Sequence, residues 1–438
     1  MEYTAELDPV DLANAWPILS EEERLEGFRL LPRVEAEDFF VGLSARDQAA
    51  LVRALPNGER RSWLRLLEPD DAADLLQECD PEERAWLVGL LDEPSRREVT
   101  ALLAYAEDEA GGLMSPRYAR LRPEMTADEA ILYLRRQAFR RRETIYYTYV
   151  LDAAQHLLGV VSFRELISAP PQQRVAEIMH TDVVTVTEET DQEQVARLFA
   201  EYDLLAIPVV DDEGHIVGVV TVDDIVDVFQ EEATEDIQKI GGMEALDAPY
   251  LDVGFGEMIR KRGGWLAVLF LGEMLTATAM GFFEHEIAAA VVLALFIPLI
   301  ISSGGNSGSQ ATTLVIRAMA LGEVKMRDWW RVVGREAGMG LALGALLGAI
   351  GFTRIVLWHA IGGMYGEHYL LIGFTIAFSL VGVVLFGTLA GSMLPFVLRR
   401  FGLDPASASA PFVATLVDVT GLVIYFTVAS LVLRGTLL

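Results

Sequence analysis

Residues 291–313 read VVLALFIPLIISSGGNSGSQATT, an apolar run that turns into glycine, serine and asparagine and then returns to apolar residues at Leu314, Val315 and Ile316. Ser302 to Gln310 therefore lies inside the apolar stretch 288–316, not at its edge. Polar, loosened backbone at membrane depth is tolerated only where it faces protein or a water-filled cavity. Four further stretches, near 265–287, 331–358, 369–398 and 408–434, are also apolar and long. Each can cross roughly 30 Å of hydrocarbon, which takes about 20 helical residues. The second and fourth of the five are over-long, which predicts tilt or a broken helix. Arg260, Lys261 and Arg262 precede the first; Lys325, Arg327, Arg331 and Arg335 lie between the second and third; Arg399 and Arg400 follow the fourth. The opposite loops carry Glu284, His285, Glu286, Glu367 and His368. This alternation predicts a plasma (inner) membrane protein with its N-terminal half in the cytoplasm and its C-terminus outside.

Small residues recur four apart, as in Gly340, Gly344 and Gly348 and again in Gly387 and Gly391. That spacing lets helices approach closely, within one subunit or across a dimer seam. The fifth stretch contains Asp418, and a carboxylate there costs a few kcal/mol unless something compensates it. No basic residue lies mid-span, since Arg354 and Arg434 sit toward the outer ends. What remains is protonation, a hydrogen-bonded structural role, or a cation in an aqueous path. A short carboxylate implies Mg²⁺, Ca²⁺, Na⁺ or H⁺ and not a thiophilic metal. Glu273 in the first stretch is a second intramembrane acid, open to a pore role or to contact with polar groups of a neighbouring helix.

The 438 residues include 64 acidic and 35 basic side chains, a formal charge of −29, with 52% hydrophobic residues. That composition excludes a disordered chain, and its sign excludes nucleic acid as a partner. From Trp265 onward acids and bases balance, so the whole negative charge lies in residues 1–264. The chain thus joins an acidic, water-soluble half to an electroneutral one embedded in the lipid bilayer. A single cysteine, Cys79, excludes a disulfide framework and a cysteine-based zinc site. The six histidines have no close ligand spacing, and no nucleophile–base pair or phosphate-cradling loop is present, so no enzyme is expected. The N-terminus carries no charged-then-apolar segment, so no signal peptide is expected.

Leu43, Leu55, Leu67, Cys79, Leu91 and Leu103 fall twelve residues apart, with acidic or proline-bearing corners such as Glu68-Pro69-Asp70-Asp71 and Asp80-Pro81-Glu82-Glu83 between them. Each corner is a helix-start signal, so the unit is one short helix and stacking buries a continuous core. Cys79 occupies a core position of this repeat. A second duplication follows: His156 to Glu165 matches His215 to Asp224 at a constant offset of 59 residues. Strand patterns (Ile145 to Leu151; Ala206 to Asp211) and helix patterns (Ala127 to Arg136; Asp191 to Tyr202) precede the two copies. The order helix, strand, turn, strand, helix, given twice, resembles a tandem pair of CBS domains. In that family Gly-hydrophobic-hydrophobic-Ser/Thr-x-x-Asp closes on the ribose and phosphate of adenine nucleotides. The resemblance implies a nucleotide site, with ATP as ligand, at Gly218, Thr221 and Asp224. Ser162 matches in the first copy, but Glu165 replaces the aspartate. The same residues also fit a helix cap, with Thr221 as N-cap.

Seven acids crowd residues 223–236, a solvated helix face or a strip that a hard divalent ion would bridge. The expected architecture is therefore multidomain. An all-α acidic solenoid spans 1–113, an α/β tandem CBS pair 114–236, a connecting, plug-type helix 237–264, and a five-helix transmembrane domain 265–438. This order of parts, with Ile297-Pro298 to Gln310 and Thr415 to Gly421, resembles the MgtE family of magnesium channels over nearly the whole chain. The resemblance implies a homodimer with a pore at its interface, and Mg²⁺ as both cargo and regulator. It places pore ligands at Asp418, at the carbonyl of Ala414 and at Asn306. It maps a cytoplasmic Mg²⁺ sensor onto Asp191, Glu193, Asp203, Asp224, Asp227, Glu232, Glu235, Asp236 and Asp247, with Glu68, Asp70, Asp71 and Asp74 as solenoid candidates. The implied function is a Mg²⁺-selective uptake channel closed by Mg²⁺ on the acidic domains. Two alternatives stand beside it: a divalent transporter coupled to Na⁺ or H⁺, and a membrane-anchored Mg²⁺ or nucleotide sensor without a pore. Asp418 and the Gly-Asn stretch argue against the last.

Overall fold

In the computed structural model, residues 8–138, 146–246 and 248–437 are described. The chain forms two compact units, Met1–Gln230 and Glu231–Leu438. The first opens with helices α1 (Pro9–Ala15), α2 (Glu21–Leu30) and α3 (Arg33–Val41). It continues with α4 (Ala45–Ala54), α5 (Asn57–Leu64), α6 (Pro69–Gln77), α7 (Pro81–Val88) and α8 (Glu93–Leu102). Helices α4 to α8 start at twelve-residue intervals, each two residues after a member of the leucine series. Leu55, Leu67, Cys79 and Leu91 are buried in one core. Side-chain caps and prolines set the helix starts. Ser44 accepts from the Asp47 amide at 3.3 Å, Asp92 from that of Ser95 at 3.3 Å, and α6, α7 and α8 carry proline in their first turns.

A second series at the same spacing ties the stack together. Gln48, Arg60, Arg84 and Arg96 each donate backwards to carbonyls closing the preceding helix. The distances are 3.0 Å to Leu43 O, 2.9 Å to Leu55 O, 2.8 Å to Leu76 O and 3.0 Å to Leu91 O. Helix ends leave such carbonyls without intrahelical partners, and these four side chains supply them; the intervening position of the series is Ala72, which has no side-chain donor.

After α9 (Ala110–Leu113) come two copies of one sheet. The first holds β1 (Arg120–Leu121), β2 (Tyr147–Leu151) and β3 (Leu157–Ser162), with α10 (Ala127–Ala138), α11 (Phe163–Ser168) and α12 (Val175–Ile178). Ile145, placed in the strand pattern by sequence, lies outside the described residues. The second holds β4 (Val186–Thr187), β5 (Ala206–Val210) and β6 (Ile216–Thr221), with α13 (Gln192–Tyr202) and α14 (Val222–Ile240). In each sheet a short strand pairs parallel with the middle one and the last pairs antiparallel, with a register shift at the equivalent place. At the seam of the copies the imidazoles of His156 and His215 stack at 4.4 Å, each Nδ1 held 3.0 Å from Asp152 or Asp211.

The second unit contains α15 (Phe255–Phe282), α16 (Glu284–Ala289), α17 (Val291–Ala294), α18 (Ile297–Ala320), α19 (Trp329–Gly362), α20 (Tyr369–Arg400) and α21 (Ala410–Val432). Among the described residues, five of its segments are long and apolar enough to cross a membrane. The over-long second stretch is a broken helix, interrupted at Ala290 and before Ile297. Residues 237–264 do not form the single connecting helix expected. Helix α14 ends at Ile240, Gly242 takes a left-handed φ of 75°, and a loop containing Pro249 runs to Gly254, the N-cap of α15. Arg260, Lys261 and Arg262 therefore begin the first spanning helix itself. Glycines set how closely the spans pack. A Cβ on Gly344 would lie 2.7 Å from Val381 Cα, and one on Gly391 would strike the Gly308 carbonyl. The four-residue glycine spacing thus serves packing within one subunit.

A Gly391→Val substitution is expected to cost about 1–3 kcal/mol by overpacking and to disperse the detergent-solubilised protein at lower temperature in a size-exclusion melt. Gly281→Val, where nothing stands within 4 Å, is the control; equal melting of the two variants would contradict the packing account.

Candidate cation sites

The intramembrane site is built by glycine. A Cβ on Gly304 would stand 2.7 Å from Val417 Cγ1, and one on Gly305 3.5 Å from Ala414 Cα. Helix α18 therefore meets α21 backbone to backbone, which sets Asn306 beside the turn bearing Ala414, with Asp418 one turn further along. Asn306 is exposed, while Ala414 and Asp418 are half-buried. The Glu273 carboxyl on α15 lies within hydrogen-bonding reach of that of Asp418. Among the described residues no basic side chain pairs with Asp418. Amide, carbonyl and carboxylate oxygens are hard donors suited to Mg²⁺ or Ca²⁺.

The end of α14 is latched to the turn before α21. Lys239 Nζ lies 2.6 Å from Asp404 and also pairs with Glu235. Burial opposes the lysine charge, and these two carboxylates more than offset it, raising its pKa above the ordinary range. Asp404 caps the turn before α21, and Ser409, the N-cap of α21, accepts from Trp265 Nε1 at 3.1 Å. Sequence reasoning missed this latch, because no local pattern links residues 239 and 404.

In the first unit the start of α6 faces the start of α14. Asp70 is buried, and Asp71 and Asp224 are half-buried. Burial, and then the charges of Asp70, Asp223 and Asp71, push the Asp224 carboxyl well above the carboxylate range. Burial and the charges of Asp223 and Asp227 raise Asp71 also, and burial with Asp223 raises Asp227. The cluster unites the solenoid candidates Asp70 and Asp71 with Asp224 and Asp227 of the sensor set. The other members fall elsewhere. Asp191 and Asp203 cap opposite ends of α13, roughly 18 Å apart at about 1.5 Å per residue. Glu193 is paired with Arg197 at 2.7 Å. Glu232, Glu235 and Asp236 lie on the later turns of α14, Glu235 engaged by Lys239. Asp247 lies outside the described residues. Among those residues no three His, Cys, Asp or Glu groups converge as a ligand shell around one point.

At the expected nucleotide motif, Gly218 is required by contact, since a Cβ would lie 2.6 Å from Met114 Sδ. Thr221 Oγ1 donates to Asp224 Oδ2 at 3.0 Å and also bonds Asp223. In the first copy Ser162 and Glu165 form a reciprocal cap at 3.2 and 2.9 Å, and His180 holds Glu165 at 2.6 Å. Both groups there are already engaged.

Five spanning helices with an acidic helical repeat and a CBS pair define a multi-pass membrane transporter. Residues 297–428 match the family described as divalent cation transporter, 7–108 the MgtE intracellular N domain, and 110–171 and 175–231 the CBS domain. The chain is 45% identical over 437 residues to magnesium transporter MgtE of Thermus thermophilus, covering 99% of this chain and 95% of that protein. It is 31% identical to the Bacillus subtilis magnesium transporter MgtE, covering 97% and 92%. Against a solved cytosolic domain of the Mg²⁺ channel MgtE in complex with ATP, identity is 48% over 51% of this chain and 91% of that one, with a TM-score of 0.48. The protein belongs to the MgtE family of magnesium transporters and is not an enzyme.

The raised Asp224 and Asp71 carboxyls make the first unit's stability depend on pH in one direction. Their contribution is fully present below the unfolded carboxyl value of about 3.9 and is lost as pH rises through the raised native values. Tryptophan-monitored melting of the full chain is expected to rise on acidification from pH 7 to 5. Asp224→Asn should melt higher than wild type at pH 7, by roughly 2–4 °C per kcal/mol relieved, with a flatter slope. An Asp224→Asn melt below wild type would contradict the assignment.

Proposed function

We propose that the protein is a Mg²⁺-selective channel for magnesium uptake, acting as a homodimer with its pore at the dimer interface. The observation that supports the proposal is the close approach of α18 and α21 at Gly304, Gly305 and Gly308, on the two helices that carry Asn306 and, with Asp418, Ala414. Mg²⁺ dehydrates reluctantly and keeps several waters, so an amide, a carbonyl and a carboxylate can hold it through them. Two copies of Asp418 near a twofold axis repel each other without an ion and draw one in. That the relatives in T. thermophilus and B. subtilis are magnesium transporters supports Mg²⁺ as cargo. The basic loops support an N-terminal half in the cytoplasm and a C-terminus outside.

Regulation rests on Asp70, Asp71, Asp223, Asp224 and Asp227, whose mutual repulsion supports a cytoplasmic Mg²⁺ sensor. The all-oxygen donor set fits a hard ion that neutralises the cluster through its water shell. At low Mg²⁺ the carboxylates repel and the open state gains population. At millimolar Mg²⁺ the ion favours the closed state by its differential affinity. Asp191, Glu193, Asp203, Glu232, Glu235, Asp236 and Asp247 are the remaining candidates for cytoplasmic Mg²⁺ ligands. ATP at Gly218, Thr221 and Asp224 would share Asp224 with the cation, which couples the two ligands at one carboxylate.

Magnesium uptake into liposomes holding the purified protein, wild type beside Asp418→Asn, tests the proposal. Uptake is expected to fall at least tenfold in the variant while folding and dimer size persist, and wild-type uptake should continue without a Na⁺ or H⁺ gradient. Equal uptake in both proteins, or wild-type uptake that stops when those gradients are collapsed, would contradict it.

A further inference from the structure

We propose that Glu273 is a second carboxylate of the permeation site and sets its preference for divalent over monovalent cations; this rests on the reading of Asp418 as that site. Helices α15 and α21 lie side by side in a fixed register. A Cβ on Gly272 would stand 2.9 Å from Thr415 Cγ2, and the rings of Phe283 and Phe426 stack at 5.0 Å. Both contacts join residues 143 apart in sequence, so the two helices run parallel between them. Within that stretch the Glu273 carboxyl reaches Asp418.

Thr276 supplies a second observation. It lies one turn after Gly272 on the same helical face, is 7% exposed, and its hydroxyl has no hydrogen-bond partner. Neighbouring threonines behave differently. Thr278, Thr415 and Thr420 each donate to the carbonyl four residues earlier, at 3.2, 3.0 and 2.7 Å. A buried, unengaged hydroxyl on the face packed against α21, one turn from Glu273, is a donor and acceptor left for a ligand. Glu273 is exposed on the isolated protomer, and a mid-span carboxylate turned to lipid is strongly disfavoured. An aqueous, cation-bearing path satisfies the exposed carboxylate, its contact with Asp418 and the hydroxyl together. Two carboxylates per subunit give the site a higher charge density than one; acidic rings select cations, and a doubly charged ion gains more from that density than a singly charged one.

The test uses the full-length protein in planar bilayers, with Mg²⁺ on one side, K⁺ on the other, and the permeability ratio read from the reversal potential. Glu273→Gln is expected to lower the Mg²⁺/K⁺ ratio at least tenfold, and Glu273→Asp to stay within threefold of wild type. A wild-type ratio in Glu273→Gln, with uptake lost in Asp418→Asn, overturns this inference and leaves the channel proposal standing. Wild-type uptake in Asp418→Asn overturns the channel proposal itself. Should Glu273→Gln fail to fold, Thr276→Val carries the test: a threefold or larger fall supports the inference and an unchanged ratio overturns it.

Discussion

Close backbone approach at Gly304, Gly305 and Gly308 is the constraint on which the membrane unit depends. Lipid tails are as apolar as the side chains they replace, so association in the bilayer relies on dispersion contact and on how near the backbones can come. Here α18 fits between α20 and α21 because no side chain intervenes. Gly304 faces Val383 and Val417, Gly305 faces Ala414, and Gly308 faces Val413 and Gly387. The same approach brings the chain at Asn306 next to the turn of α21 that bears Ala414, with Asp418 one turn further along. Packing and chemistry thus share residues, and a polar run that would be costly against lipid is stable against protein.

A second theme is charge held without a matching counter-ion. Asp418 and Glu273 lie near each other within the membrane unit, and Asp71, Asp223, Asp224 and Asp227 crowd one another in the first unit. Elsewhere the chain pairs its acids, as in Glu193 with Arg197, Glu98 with Arg117 and Asp404 with Lys239. The contrast separates two arrangements of aspartate and glutamate: ion pairs that fix helices, and clusters of like charge, which under the proposed function a mobile cation would relieve. The Lys239 pair belongs to the first kind, fastening the end of α14 to the turn that leads into the helix bearing Asp418.

Much of this was legible in the sequence where periodicity carried it. The twelve-residue series of Leu55, Leu67, Cys79 and Leu91 placed the helix starts, and the offset of 59 residues placed both sheets. Gln48, Arg60, Arg84 and Arg96 follow the same spacing with a gap at Ala72, but they are polar and stand apart from the leucine series. The connecting helix expected over 237–264 is broken at Gly241-Gly242 and Pro249, residues that mark turns in the sequence itself. Asp191 and Asp203 looked alike as acids but act as caps at opposite ends of one helix. The contact of Glu273 with Asp418 and that of Lys239 with Asp404 join residues more than a hundred positions apart, and only tertiary packing reveals them.

The central claim is that a hydrated divalent ion occupies the place where α18 and α21 meet, and locating that ion tests it most directly. Anomalous diffraction from crystals of the full-length protein grown with Mn²⁺ in place of Mg²⁺ should show a peak within water-bridged distance of Asp418, Ala414 and Asn306, absent in Asp418→Asn. Peaks confined to the cytoplasmic carboxylates, with none beside Asp418 in wild type, would contradict the account.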